Sequence, residues 1–252
     1  MSRIRTALAR ALGWVLSPLD SRKLARFAFS IVQAASRGRL ARDSLVFLLE
    51  LEQRLFILTG TESCRYGGGV HTKHRHTGYH DYFAKRLRTG ERVLDIGCGY
   101  GALAHDLAAA GARVVGIDRN ATNVAAGRAC HAHPNLEFRV GDALHDLPDQ
   151  RFDTIVMSNV LEHIEDRVGF LRSAQARLAP RRWLLRVPMY ERDWRVPLME
   201  ELGVDYRLDD THFIEYRKEQ FNEEMDRAGL RLTDVDYRWG EIWCEAVPAP
   251  QA

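Results

Sequence analysis

Val93-Leu94-Asp95-Ile96-Gly97-Cys98-Gly99-Tyr100-Gly101-Ala102 is the stretch on which the reading of this chain turns. The apolar run before Gly97 has the length of a buried strand, and the three glycines punctuate a turn into a helix that begins at Ala102. Glycines at such a junction let the backbone approach a ligand closely, and small residues there let the helix pack on the strand. That spacing alone would equally suit a dinucleotide. Asp95, two residues before the first glycine, changes the balance: a carboxylate at this strand end attracts a ligand bearing an ammonium group and repels a pyrophosphate.

Outward from this point the sequence alternates. Strands are expected over 92–96, 113–117, 136–140, 152–157 and 183–187, and helices over 102–110, 121–130, 167–178 and 217–228. Two further strands around Trp239-Gly240 read as a hairpin. Short, continuously apolar strands separated by helices predict an α/β fold, doubly wound, with a mostly parallel sheet covered on both faces. Upstream, apolar residues at helical spacing predict three helices, over 2–17, 21–36 and 43–58, and residues 60–76 (GTESCRYGGGVHTKHRH) read as a loop. The expected division is a helical N-terminal extension and loop over 1–76 and an α/β domain over 77–252, with an insertion at 188–216.

Over about residues 77–246 the chain resembles the class I S-adenosylmethionine-dependent methyltransferases, through its glycine motif and three later motifs in the same order. Asp118 closes VVGIDRN, 23 residues after Asp95; Asp142 lies in VGDAL; and Phe152 to Ile164 (FDTIVMSNVLEHI) matches the fourth-strand motif. An acid after a strand is commonly a helix cap, so neither Asp118 nor Asp142 would identify the family alone. The ordered set does. The resemblance implies a seven-stranded Rossmann-like sheet and S-adenosyl-L-methionine as cofactor, held by Asp95, Gly97, Gly99, Gly101, Asp118, Asp142, Ala143 and Asn159. Within that set, Asp118 would accept the ribose hydroxyls, Asp142 and the Ala143 amide would serve the adenine, and Asn159 would lie beside the methionine part. Tyr79, with Arg75 or His76, would cover the cofactor carboxylate, while Cys98 reads as a packing residue.

Methyl transfer to an alcohol needs alignment of donor and acceptor and a nearby base. Two histidines are candidate catalytic residues: His163 in LEHIED, after the fourth strand, and His212 in DDTHFIEY, within the insertion. The insertion also carries Tyr190, Glu191, Arg192, Asp193, Trp194, Arg195, Asp205, Tyr206 and Arg207, side chains that stack on rings and hydrogen-bond hydroxyls. THFIEY and the closing RWGEIW look similar to uncharacterised bacterial methyltransferases found with polysaccharide and envelope biosynthesis. The expected reaction is therefore O-methylation of a sugar hydroxyl on a glycan or glycolipid precursor, or of another small molecule. No metal site is expected: His71, His74, His76 and His80 match no zinc spacing, and nothing in the spacing of Asp209 and Asp210 demands a divalent ion.

Charge and composition bound the alternatives. The 252 residues carry a formal net charge of +2, but residues 1–43 hold nine basic and two acidic side chains, a basic head on a mildly acidic body. Such a head could hold nucleic acid, and an RNA or DNA methyltransferase is the alternative reading, beside a scaffold that binds the cofactor without transferring methyl. Against nucleic acid, the fourth-strand motif is Ser158-Asn159-Val160-Leu161 rather than an Asn/Asp-Pro-Pro-Tyr type, and there is no Pro-Cys pair. The basic helices instead suggest peripheral contact with a membrane of anionic lipid. Four dispersed cysteines without a C-x-x-C pair and a start too short in apolar residues for a signal peptide fit a cytoplasmic protein, at most peripheral to the inner face of the membrane.

Overall fold

A computed structural model describes Gly13 and residues 16–250; the helix expected over 2–17 falls for the most part outside the described residues. The N-terminal helices are α1 (Ser21–Arg37), α2 (Ala41–Tyr66), α3 (Lys73–Thr77) and α4 (Tyr79–Ala84). The α/β alternation follows: β1 (Arg92–Ile96), α5 (Ala102–Ala109), β2 (Arg113–Asp118), α6 (Ala121–Cys130), β3 (Leu136–Val140), β4 (Thr154–Ser158), α7 (Arg167–Leu178) and β5 (Arg182–Pro188). The chain ends with α8 (Arg195–Leu202), α9 (Lys218–Arg227), β6 (Leu230–Arg238) and β7 (Glu241–Pro248).

All seven strands form one sheet in the order β3-β2-β1-β4-β5-β7-β6. Strands β1 to β5 run parallel, and β7 runs antiparallel to both β5 and β6. This is the expected doubly wound α/β sheet. Alternate residues feed opposite faces: Leu94, Ile96, Ile155, Met157 and Leu185 pack with Phe170, Leu171 and Leu178 of α7, while Val93, Val114, Val156 and Leu184 pack with Phe83 and Leu107. The β6–β7 hairpin turns at Trp239-Gly240, both at positive φ (55° and 74°), which matches the twist of the flanking strands.

Three departures from the sequence reading matter. Residues 60–66, expected in a loop, continue α2 to Tyr66, because one interior glycine costs a helix only about 1 kcal/mol; the helix ends at the Gly67-Gly68-Gly69 triplet, where the Gly69 amide donates to the Cys64 carbonyl at 2.8 Å. The insertion is not irregular throughout, since it holds α8 and a 3-10 turn at Tyr190–Arg192. Finally, the compact units are 1–59 with 199–205, and 60–198 with 206–252. The division therefore falls at Gly60 rather than at 76, and a short piece of the insertion belongs with the N-terminal helices.

In the first unit, Asp20 caps α1 by accepting from the Lys23 amide at 3.0 Å, and Leu49 is the buried side chain of α2. The Arg42 guanidinium donates to the Leu202 carbonyl at 3.0 Å and the Gln53 amide to the Asp205 carbonyl. No residue of α1 is buried. No described helix is long and apolar enough to cross a membrane.

Candidate cofactor and acceptor site

Because β1 to β4 are parallel, the segments that leave their carboxyl ends share one edge of the sheet. The chain steps outward from β1 to β2 and β3, then returns to place β4 on the other side of β1. That reversal opens the crevice where α/β sheets bind ligands. The glycine loop, Asp118, Asp142 with Ala143, and Asn159 follow β1, β2, β3 and β4 respectively, so the fold brings the expected cofactor residues to one edge.

Asp95 is buried at 2% exposure, and its Oδ2 has no hydrogen-bond partner among the described residues. Burial, and then the neighbouring Asp118, push its carboxyl up to about 8. A buried, unmatched carboxyl at the lip of the crevice fits a ligand that brings a positive charge, as the methionine ammonium of S-adenosylmethionine would. Asp118 orders the loop: its Oδ2 accepts from the Gly99 amide and its Oδ1 from the Asn120 amide, both at 2.8 Å. Each oxygen retains a further acceptor site for a ribose hydroxyl. Asp142 Oδ1 accepts from the Leu144 amide at 2.8 Å, and Ala143 packs against the core. Cys98 is buried and its thiol is pushed up by desolvation, with Asp95 and Asp118 adding to the effect, which suits a packing residue rather than a nucleophile.

Asn159 stands at φ 55° and its side-chain amide pairs with Arg186, the nitrogen donating to the Arg186 carbonyl and the oxygen accepting from its guanidinium, which is itself held by Glu241. Sequence reasoning missed this pair. Arg186 lies on β5 and binds Glu241 through two bonds of 2.7 and 2.9 Å, while a third reaches Ser158 Oγ at 3.0 Å. Its guanidinium also lies 3.9 Å from the Tyr79 ring centroid. The cation over the Tyr79 ring is thus Arg186, while Arg75, expected with Tyr79 over the cofactor carboxylate, lies over the Tyr66 ring at 5.6 Å. A signal was present, since a lone arginine inside the apolar run Trp183-Leu184-Leu185-Arg186-Val187 requires a buried partner. Around Tyr79, His74 packs edge-on against Tyr79 and His80, each at 5.0 Å, and burial followed by His80 holds it down at about 4. His80 binds Asp106 at 2.6 Å.

The candidate catalytic histidines, 49 positions apart in the chain, meet with ring centroids 4.5 Å apart. The insertion is pinched at its base by a bridge between Met189 and Tyr216, and the Phe213 amide donates to the Glu162 carbonyl at 2.9 Å. This folds His212 back over the 3-10 turn Leu161–His163. His212 Nδ1 binds Glu215 Oε1 at 2.9 Å. Glu215 in turn accepts from Arg192 at 2.9 Å and from the Leu208 amide at 2.7 Å. His163 Nδ1 meets Thr211 Oγ at 2.9 Å, and that hydroxyl donates to Asp209 Oδ1 at 2.6 Å. Beside both rings lies Glu162, fully buried, with neither carboxylate oxygen partnered among the described residues. Burial, the largest influence, pushes its carboxyl up to about 8, and burial followed by His212 lowers His163.

The sequence profile of a family described as a methyltransferase domain matches residues 71–235. Among curated proteins, the chain is similar to the ubiquinone biosynthesis O-methyltransferase of Bradyrhizobium diazoefficiens, 36% identical over 121 residues, and to that of Rhodopseudomonas palustris (strain BisB5), 35% identical over 120 residues. Each match covers 47% of this chain and 47% of the relative, so the chain spans about half the length of the curated relatives it matches. Among solved structures, the magnesium protoporphyrin IX methyltransferase of Synechocystis PCC 6803 superposes with a TM-score of 0.58 at 20% identity, covering 79% of this chain and 99% of that one. An S-adenosylmethionine-dependent methyltransferase from Mesorhizobium loti gives 0.52 at 17% identity, covering 66% and 96%. At these identities the structural likeness is one of fold.

Proposed function

The chain belongs to the methyltransferase-domain family, and from that premise we propose that it transfers a methyl group from S-adenosylmethionine to a hydroxyl oxygen of a small-molecule acceptor. Bound in the crevice, the cofactor supplies an electrophilic methyl on a sulfonium. This chain's own residues bind and orient: Asp95 faces the ammonium, Asp118 the ribose and Asp142 the adenine. The observation that carries the choice of oxygen is the cluster of His163, His212 and Glu162, which gathers proton-accepting groups beyond the carboxyl end of β4. An alcohol must lose a proton as it is methylated, and the imidazoles of His163 and His212, held by Thr211 and Glu215, are the groups that would take it. The named relatives, both O-methyltransferases, support oxygen over nitrogen or carbon. A phenolic hydroxyl and a sugar hydroxyl both satisfy this chemistry, and the glycan precursor suggested by the sequence is one arm of the test.

The purified chain with S-adenosylmethionine would be offered catechols, sugar nucleotides, lipid-linked glycan extracts and RNA, with mass spectrometry of both products. The expected result is S-adenosylhomocysteine together with one methyl added to a hydroxyl of a phenol or a glycan. Methylation of RNA alone, or of a nitrogen or carbon, would overturn the reading. We further propose that α1 rests on an anionic membrane surface, supported by its unburied apolar side and its cluster of basic side chains.

A further inference from the structure

We propose that Glu162, His163 and His212 form a binding site for one divalent transition-metal ion of the zinc class, with open positions toward the acceptor. Each of the three side chains offers a ligand atom within 4.8 Å of the others, and His212 Nε2 stands 4.0 Å from Glu162 Oε1. The sequence spacing gave no hint of this site, because its third ligand comes from the insertion.

The hydrogen bonds settle which ring nitrogens are free. Thr211 Oγ gives its single proton to Asp209 Oδ1, so it must accept from His163, and Nδ1 of that ring carries the hydrogen. Glu215 is already bound by Arg192 and the Leu208 amide and accepts from His212 Nδ1. Both rings therefore present a bare Nε2. An imidazole held through its far nitrogen by a carboxylate or hydroxyl is the usual support behind a metal ligand. Glu162 supplies the independent observation. A fully buried carboxyl whose two oxygens lie outside any hydrogen bond of the described residues is costly to ionise unless a positive charge meets it, and its ion-pair contact, His212 Nε2 at 4.0 Å, is the second ligand atom of the site. Two nitrogens and one carboxylate oxygen suit zinc, cobalt or manganese rather than magnesium or calcium, and three protein ligands leave room for a water or a hydroxyl. The site deepens the hydroxyl-methylation reading and rests on it only for its consequence: with an ion bound, both Nε2 atoms are ligands in place of bases, and the ion would lower the pKa of a bound hydroxyl, whose proton would pass to solvent.

The test is a titration of untagged, chelator-stripped full-length protein with Co²⁺, followed by visible d–d absorption, and with Zn²⁺ by calorimetry, alongside S-adenosylhomocysteine binding. One equivalent is expected to saturate. His163→Ala, His212→Ala and Glu162→Gln should each abolish the cobalt spectrum, and Glu215→Gln should weaken binding about 10- to 100-fold, with S-adenosylhomocysteine affinity unchanged as the check on folding. An absent cobalt spectrum in the unaltered protein, or one that survives His212→Ala, overturns the site. Should metal fail to bind while a hydroxyl is still methylated, the metal site alone falls; saturating metal without hydroxyl methylation would sink the acceptor reading and leave the site standing.

Discussion

Asp95 couples cofactor binding to a proton. Its folded carboxyl is pushed up to about 8 by burial and by Asp118, from an ordinary value of 3.8. At pH 7 the free protein therefore holds this group mostly protonated, while a ligand ammonium favours the ionised form. Binding S-adenosylhomocysteine at pH 7 should release about one proton, measured as a buffer-dependent calorimetric enthalpy, and the release should fade above pH 8 and vanish in Asp95→Asn. Identical enthalpies across buffers would refute the assignment. The sign for stability follows: because the folded value lies above the unfolded one, the ligand-free protein loses stability as pH rises from near 4 toward 8. At this scale the sequence singled out Asp95, His163 and His212 as candidates by motif and type, and the structure gathers the two histidines. It concealed Glu162 and Glu215, since acids in LEHIED and HFIEY look solvent-facing until the insertion folds back and buries them.

The elements are set where backbone and packing agree, and the glycine loop between β1 and α5 separates the two demands. Gly101 (φ 81°) and Gly99 (φ 55°) both occupy left-handed conformations, but a Cβ on Gly101 would lie 2.2 Å from the Phe138 ring, whereas one on Gly99 would meet nothing within 4 Å. Gly101→Ala combines a backbone penalty of about 1–2 kcal/mol with overpacking of about 1–3 kcal/mol, while Gly99→Ala carries the first alone. Thermal melts should show Gly101→Ala losing at least about twice as many degrees as Gly99→Ala; equal losses would mean that Phe138 moves aside freely. The same logic explains which elements were legible. Strands β1, β2 and β4 were recognisable because nearly continuous apolar runs fill a sheet buried on both faces. The last turns of α2 and the helix α8 were not, because Gly60 and the polar insertion resemble loop composition, and helix formation there depends on packing rather than on local propensity.

Across the whole molecule the charge is split, and α1 is where that split has a physical use. Leu24, Phe27, Ile31 and Ala35 recur at helical spacing on one side, with Phe27 64% and Ile31 56% exposed, while Arg22, Lys23, Arg26 and Arg37 occupy the other. No acid lies between Ser21 and Arg42. An apolar stripe alone would suit any hydrophobic partner, but a stripe flanked by cations suits an anionic lipid surface, where each basic residue contributes about 1 kcal/mol. Full-length protein should therefore pellet with vesicles containing phosphatidylserine and not with pure phosphatidylcholine. Pelleting should fall as salt shortens the Debye length toward about 3 Å at 1 M. Reversing Arg22, Arg26 and Arg37 to Glu should return it to background, and Phe27→Ser with Ile31→Ser should weaken it with the charge intact. Equal pelleting on neutral and anionic vesicles would remove the electrostatic half of the proposal, and none on either would remove the membrane. Because these substitutions lie far in sequence from Asp95 and Asp118, unchanged S-adenosylhomocysteine binding would separate a lost surface contact from a damaged cofactor fold.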